Sequence, residues 1–124
     1  MKRSACVVAI VDDDYGVVES LESLLGSAGH SAHGFTSAQE LLESFVWDAM
    51  DVLITDIDMP WMDGFALYRR LQIDRPYAAA IFITGCKKLF REAERRAGPD
   101  VPVFFKPFDP AKLLRSIADS RSTK

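Results

Sequence analysis

Short apolar runs alternate along this chain with segments whose apolar residues recur at helical spacing, and this alternation limits the fold more than any other feature. The β-rich runs fall at residues 5–11, 51–55, 79–84 and 101–105, with a weaker one at Ser31–Phe35. Between them, Val17, Leu21, Leu24, Leu25 and Ala28 mark a first helical stripe, with Gly29 as its C-terminal stop. Ser37-Ala-Gln-Glu40 reads as a capping box opening a second helix, with Leu41, Leu42 and Phe45 turned inward. A third helix is expected over residues 64–73, and a fourth over Lys87–Ala97, stopped by Gly98-Pro99. Asp109-Pro110 supplies an N-cap and a first-turn proline for a fifth, whose inner face is Leu113, Leu114 and Ile117. Five strands alternating with five helices require right-handed βαβ crossovers and a parallel sheet covered on both faces. Three of the strands are apolar almost throughout, as burial on two sides demands. The expected fold is therefore α/β: a flavodoxin-like, doubly wound, five-stranded parallel sheet of order 2-1-3-4-5.

At 124 residues the chain is expected to be one domain over residues 1–124, with a linker-like stretch only in the tail from Ser120. The composition, 48% hydrophobic and 27% charged, is that of a globular protein rather than a disordered one. A net charge of -3 disfavours whole-molecule attraction to nucleic acid or anionic lipid. No apolar run approaches the ~20 residues that span a bilayer. The opening apolar stretch is too short for an export signal and runs into three acids, so a cytoplasmic location is expected. Cys6 and Cys86 fall at opposite ends of their strands, roughly 20 Å apart, and should not pair. His30 and His33, with no ligand partners nearby in sequence, are read as surface residues.

The polar residues that end the apolar runs carry the chemistry. Strand one ends in Asp12-Asp13-Asp14, strand three in Asp56, strand four in Thr84-Gly85 and strand five in Lys106-Pro107. A parallel sheet brings all of these to one edge. Carboxylates ~4 Å apart repel by about 4 kcal/mol per pair at an effective dielectric near 20. A cluster of this kind stays ionised only with a cation. Lys106 offsets one charge, and a hard, oxygen-seeking ion, Mg²⁺ by preference, offsets the rest. Phosphoryl transfer to a carboxylate needs the same parts: an ionised nucleophile, a metal, and a hydroxyl and an ammonium for the phosphoryl oxygens. Asp56 suits the nucleophile, Asp12 and Asp13 the metal (Asp13 the better direct ligand), and Thr84 and Lys106 the phosphoryl oxygens. Asp14 is read chiefly as the N-cap of the first helix.

The set Val11-Asp12-Asp13, Asp56-Ile-Asp-Met-Pro-Trp-Met-Asp-Gly64, Thr84-Gly85 and Lys106-Pro107-Phe108 resembles the receiver family of two-component signalling (the CheY-like superfamily) over essentially the whole chain. The resemblance implies Asp56 as phospho-acceptor, Thr84 as switch hydroxyl and Lys106 as phosphate-binding lysine. It also implies Mg²⁺ held by Asp12, Asp13, Asp56 and the backbone carbonyl of Asp58, and a cis peptide between Lys106 and Pro107. A sensor histidine kinase or phosphotransfer protein would donate the phosphoryl group. A downstream effector would read a face formed by the fourth helix, fifth strand and fifth helix, where relatives often form homodimers. Such a domain catalyses its own phosphorylation and dephosphorylation rather than turning over a separate substrate. It makes no direct contact with nucleic acid or membrane.

Two departures and two rival functions qualify this reading. The family's usual aromatic three residues before the lysine is Val103 here, and Phe105, on the same strand face, is the candidate to replace it. The fourth helix carries Lys87, Lys88, Arg91, Arg95 and Arg96 against Glu92 and Glu94, either a solvated face or a basic docking surface. Trp61 and Met62 are either packing residues or part of a partner-facing rim. Asp56-Ile-Asp58 also resembles the Asp-x-Asp of haloacid-dehalogenase phosphatases, though in that family the further acids follow the lysine. A receiver-shaped adaptor that is never phosphorylated is the other alternative. Asp58 is either an incidental loop acid or a tuning residue. Under the second reading, Asp58→Asn weakens Mg²⁺ affinity and alters the dephosphorylation rate; identical values for parent and variant would leave Asp58 incidental.

Overall fold

The computed structural model describes residues 5–122. Its order is β1 (Val7–Val11), α1 (Tyr15–Ser27), β2 (Ser31–Phe35), α2 (Ala38–Leu42), α3 (Val46–Ala49), β3 (Val52–Asp56), α4 (Gly64–Asp74), β4 (Ala79–Thr84), α5 (Lys87–Ala97), β5 (Val103–Phe105) and α6 (Pro110–Ser122). All strand pairings are parallel, and the sheet order is β2-β1-β3-β4-β5, as the alternation of periods requires.

The sheet divides the core into two layers by strand alternation. Val8 and Ile10 of β1, Val52 and Ile54 of β3, and Ile81 and Ile83 of β4 pack against Val18, Leu21 and Leu25 of α1 and Leu113 and Ile117 of α6. The alternate residues, Ala9, Val11, Leu53, Ala80 and Phe82, face Leu41, Trp47, Phe65, Leu67, Leu71 and Ala93 of the other helices. Burying each large aliphatic side chain contributes ~1.5–3 kcal/mol relative to exposure. The strands that meet at the functional edge are thus gripped from both sides.

Local chemistry sets most helix ends. The carboxylate of Asp14 accepts from the Gly16 N–H at 2.9 Å and caps α1, while Gly29 leaves that helix at φ +92°. Asp63 caps α4 by accepting from Ala66 N–H, and Asp109 accepts from Ala111 N–H at the start of α6, each at 2.9 Å. Ser37 accepts from Glu40 N–H at 3.2 Å, yet the Glu40 carboxylate returns to the N–H and hydroxyl of Thr36 at 3.3 Å. The expected capping box therefore closes one residue early.

Several boundaries differ from expectation. β1 begins at Val7, the first residue with a partner on β2. β3 runs one residue further at each end shift, from Val52 to Asp56, so that Asp56 is itself in the strand. β5 begins at Val103, because Pro102 has no N–H to donate and serves only as acceptor, from Phe82 N–H at 3.0 Å. The third helix extends to Asp74. The segment after α2 holds a sixth, short helix, α3, that the apolar spacing does not reveal. Because α2 ends at Leu42, helical spacing does not carry to Phe45, which points outward and is 76% exposed. Val46 and Trp47 fill the place expected for it. On α1 the buried line is Val18, Leu21 and Leu25, whereas Ala28 is exposed. α6 continues through Ser122, so Ser120 does not begin a linker; residues 1–4 and 123–124 of the expected domain lie outside the described residues.

Cys6 is buried at one end of the sheet and Cys86 exposed at the other, and no disulfide joins them. His30 and His33 are half-buried rather than free on the surface. His30 Nδ1 accepts from the Cys6 N–H at 3.1 Å, and His33 packs edge-on to Phe45.

Two glycines separate space from strain. A Cβ on Gly64 would lie 2.6 Å from the Asp56 carbonyl oxygen and 2.9 Å from Ile57 Cα, both backbone atoms. A Cβ on Gly26, inside α1, would meet nothing within 4 Å. Gly64→Ala is expected to destabilise by about 1–3 kcal/mol, and Gly26→Ala to stabilise by up to about 1 kcal/mol. Urea unfolding of both variants checks the pair; equal midpoints would contradict it.

Candidate functional site

Parallel pairing places the carboxyl ends of the strands on one rim, and the sheet order makes β1 and β3 neighbours at the point where the winding reverses. Asp12 and Asp13 follow β1 directly, Asp56 ends β3, Thr84 ends β4, and Lys106 follows β5. The structure brings four of these together. One carboxylate oxygen from each of Asp12, Asp13 and Asp56 lies within 4.8 Å of the other two. The Lys106 Nζ donates to Asp12 Oδ2 at 2.7 Å and lies 3.8 Å from Asp56 Oδ2. Among the described residues this is the only such acidic cluster.

The electrostatics follow from three carboxylates facing one ammonium. Burial, then the charge of Asp12, raises the Asp56 carboxyl from 3.8 to about 6; Asp13 adds to this, while Lys106 and the backbone of Ile57 pull the other way. Burial alone would lower the Lys106 ammonium. The hydrogen bond to Asp12 and the charges of Asp56, Asp12 and Asp14 outweigh it and hold Lys106 above the ordinary lysine range. The lysine is thus fixed as a cation, yet it does not relieve Asp56.

The remaining charge suits a hard cation, since every donor is a carboxylate oxygen. The donors are not equivalent. Asp12 is fully buried and spends both oxygens, Oδ1 on the Asp14 N–H at 2.9 Å and Oδ2 on Lys106. Asp13 is exposed at the rim, and Asp56 is 6% exposed.

The backbone beneath Asp56 is fixed by contacts that composition and spacing do not announce. The buried Thr55 hydroxyl donates to the Asp56 carbonyl at 2.9 Å, and the Gly64 N–H donates to the Ile57 carbonyl at 2.9 Å. The only sequence signal for this is the glycine eight residues after Asp56, whose missing Cβ lets α4 start against that backbone.

The other expected residues divide. Thr84 is buried, and its hydroxyl accepts from the Cys86 N–H at 3.0 Å, which leaves its own proton to donate. Its carbonyl accepts from Lys106 N–H at 2.8 Å, tying β4 to the lysine. Asp58 is exposed, outside the acidic cluster. The Lys106–Pro107 peptide is cis. Met62 packs on the core, whereas Trp61 is 102% exposed at φ +71° in a tight turn closed by Met62 N–H to the Pro60 carbonyl at 2.8 Å.

Comparison with known proteins converges on one family. The family model described as "Response regulator receiver domain" matches residues 8–118. Response regulator protein TodT of Pseudomonas putida is 35% identical over 117 residues, which cover 94% of this chain and 52% of that protein. The C4-dicarboxylate transport transcriptional regulatory protein DctD of Rhizobium meliloti is 30% identical over 109 residues, 88% of this chain and 24% of that protein. The chain therefore spans about half the length of TodT, and less of DctD. Among solved structures, a putative response regulator from Chloroflexus aurantiacus superposes with a TM-score of 0.81 at 28% identity, covering 96% of this chain and 99% of that one. A response regulator receiver domain from Clostridium thermocellum gives 0.84 at 24% identity over 97% and 96%, a likeness of fold.

The raised Asp56 carboxyl predicts the sign of a pH effect. The folded state holds this proton more tightly than the unfolded state, so the contribution is favourable below pH ~4 and is lost as pH rises through about 6. By pH 8 the loss is about 3 kcal/mol or less. In metal-free buffer, the stability of Asp56→Asn minus that of the parent should increase from pH 4 to 8. Thermal unfolding across that range checks it, and a flat difference would contradict it.

Proposed function

The chain belongs to the response regulator receiver domain family, and from that premise we propose that Asp56 accepts a phosphoryl group from a phosphohistidine of a sensor histidine kinase or phosphotransfer protein. The observation that carries this is the Lys106 ammonium, bonded to Asp12 and 3.8 Å from Asp56, inside a knot of carboxylates that it does not neutralise. Asp13 and Asp56, with the backbone carbonyl of Asp58, would hold Mg²⁺, and Asp12 would stand behind them with both oxygens already bonded. When bound, Mg²⁺ supplies positive charge to the transferring phosphoryl oxygens and keeps the acceptor ionised.

The rest falls to the chain's own groups. An Asp56 oxygen forms the new P–O bond as the donor's P–N bond breaks, and the electron pair of that bond leaves with the imidazole. Lys106 binds one phosphoryl oxygen from a position set by Asp12 and by the Thr84 carbonyl. Thr84 donates its hydroxyl proton to another. Water later attacks the acyl phosphate and returns Asp56 to the free carboxylate.

Phosphorylation would bias a two-state equilibrium of the Thr84 loop and of the face formed by α5, β5 and α6, which a downstream effector, or a second copy, would read. Phe105 is the register partner of Thr84 and stacks edge-on with Phe90 of α5 at 6.0 Å. This supports Phe105, rather than Val103, as the side chain that follows the hydroxyl. We place residues 1–124 in one such unit acting in the cytoplasm, without direct nucleic-acid or membrane contact of its own.

Incubation with a small phosphodonor and Mg²⁺ is expected to add one acid-stable, base-labile phosphoryl group to the parent and none to Asp56→Asn, as read by intact-protein mass spectrometry. Lys106→Ala should slow the reaction on the order of 10²-fold. No mass gain in a folded parent, or an equal gain in Asp56→Asn, would overturn the proposal.

A further inference from the structure

Helix α5 departs from the rules that the other long helices obey. Its N-cap residue, Cys86, makes no side-chain capping bond, and its first turn has no acid. Lys87 and Lys88 stand instead at that end, where the helix dipole is already positive. Lys87, Arg91 and Arg95 follow at intervals of four, so like charges line one stripe of an exposed face, an arrangement that weakens a helix. Elsewhere the same spacing is used to pair charges. Arg70 meets Asp74 at 3.1 Å on α4, and Arg96 meets Glu92 at 3.2 Å on α5 while its guanidinium lies 3.9 Å above the Phe65 ring. Among the described residues, no acid lies within ion-pair range of Lys87, Lys88, Arg91 or Arg95. The chain as a whole is -3, so these cations are not part of a general excess.

We infer that the Lys87–Arg91–Arg95 stripe is a docking surface for an acidic polypeptide segment. The argument is charge complementarity confined to a patch of limited length. An eleven-residue helix is about 16 Å long, a span that suits a few turns of an acidic helix or a short extended acidic strand. A nucleic-acid duplex carries uniform charge well beyond that span. It would meet the carboxylates of Asp12, Asp13 and Asp56 at the same rim from which α5 starts. Glu94, exposed within the basic face, further breaks its uniformity. The partner's acids replace the pairing that the fold withholds, so the stripe that burdens the free helix becomes useful in the complex. This deepens the effector surface proposed above. It is tested on the unmodified chain without phosphodonor, so its failure and a failure of acceptor chemistry at Asp56 are read separately.

The probe is a fluorescent twelve-residue peptide with six glutamates, titrated with the full chain at low salt and followed by anisotropy. The test variant is K87Q/R91Q/R95Q, and the control is K112Q/R115Q, which removes exposed cations from α6. The parent is expected to bind, the α5 variant at least tenfold more weakly, and the control within twofold of the parent. Amide shifts of the parent should map to α5, and urea midpoints of the α5 variant should match or exceed the parent's, since repulsion is removed. Several results would overturn the inference: no binding by the parent, equal weakening in both variants, or tighter binding of a labelled DNA duplex or of anionic vesicles than of the peptide. A destabilised α5 variant, or self-association of the parent that leaves the peptide unbound, would do so equally.

Discussion

Everything at the functional edge depends on one unbalanced electrostatic arrangement: three carboxylates converge where the fold supplies a single ammonium. Lys106 answers Asp12 with a 2.7 Å bond and reaches Asp56 only at 3.8 Å. A single lysine cannot neutralise both, and Asp56 is the group left with a raised carboxyl. The fold does not relax this tension by moving apart, because the two acid-bearing strands are adjacent and fully packed on both faces. Crowding of this kind is unfavourable for the resting chain and favourable for anything that brings positive charge. It is the trade expected where structure is spent on binding rather than on stability.

Rigidity beneath the acceptor comes from small details. The Thr55 hydroxyl holds the Asp56 carbonyl, and Gly64 brings the first turn of α4 against the same peptide unit. Displacing that backbone by a few tenths of an ångström would alter its distances to Lys106 and Asp12 together. Across the sheet, Thr84 serves two neighbours at once: its hydroxyl takes the Cys86 N–H and its carbonyl takes the Lys106 N–H. The start of α5 is therefore joined through one residue to the lysine of the acidic knot. The poorly capped, like-charged N-terminus of α5 makes that helix well suited to respond, since little in its own first turn holds it fixed.

Much of this was legible in the residues. Apolar runs of two-sided burial and capped helical stripes specify an α/β sheet, and the strand ends gather Asp12, Asp13, Asp56, Thr84 and Lys106 by topology alone. What escaped were features that periodicity does not encode. α3 is one turn long, too short to show a stripe, and its presence turns Phe45 to solvent. β5 lost two residues to a missing proline donor, and the Glu40 carboxylate found Thr36 rather than Ser37. At the site, spacing gave the acids but not their inequality. That Asp12 is saturated by Asp14 and Lys106 while Asp13 stays exposed is a matter of three-dimensional placement.

The central claim is that Asp56 is held in a state that only added positive charge relieves. Carbon-detected NMR titration of the aspartate carboxyls reads this directly. In metal-free buffer the Asp56 carboxyl should titrate near pH 6, and saturating Mg²⁺ should move its midpoint down by more than one unit. Titration near the ordinary value of about 4 in both conditions, with no response to Mg²⁺, would contradict the account.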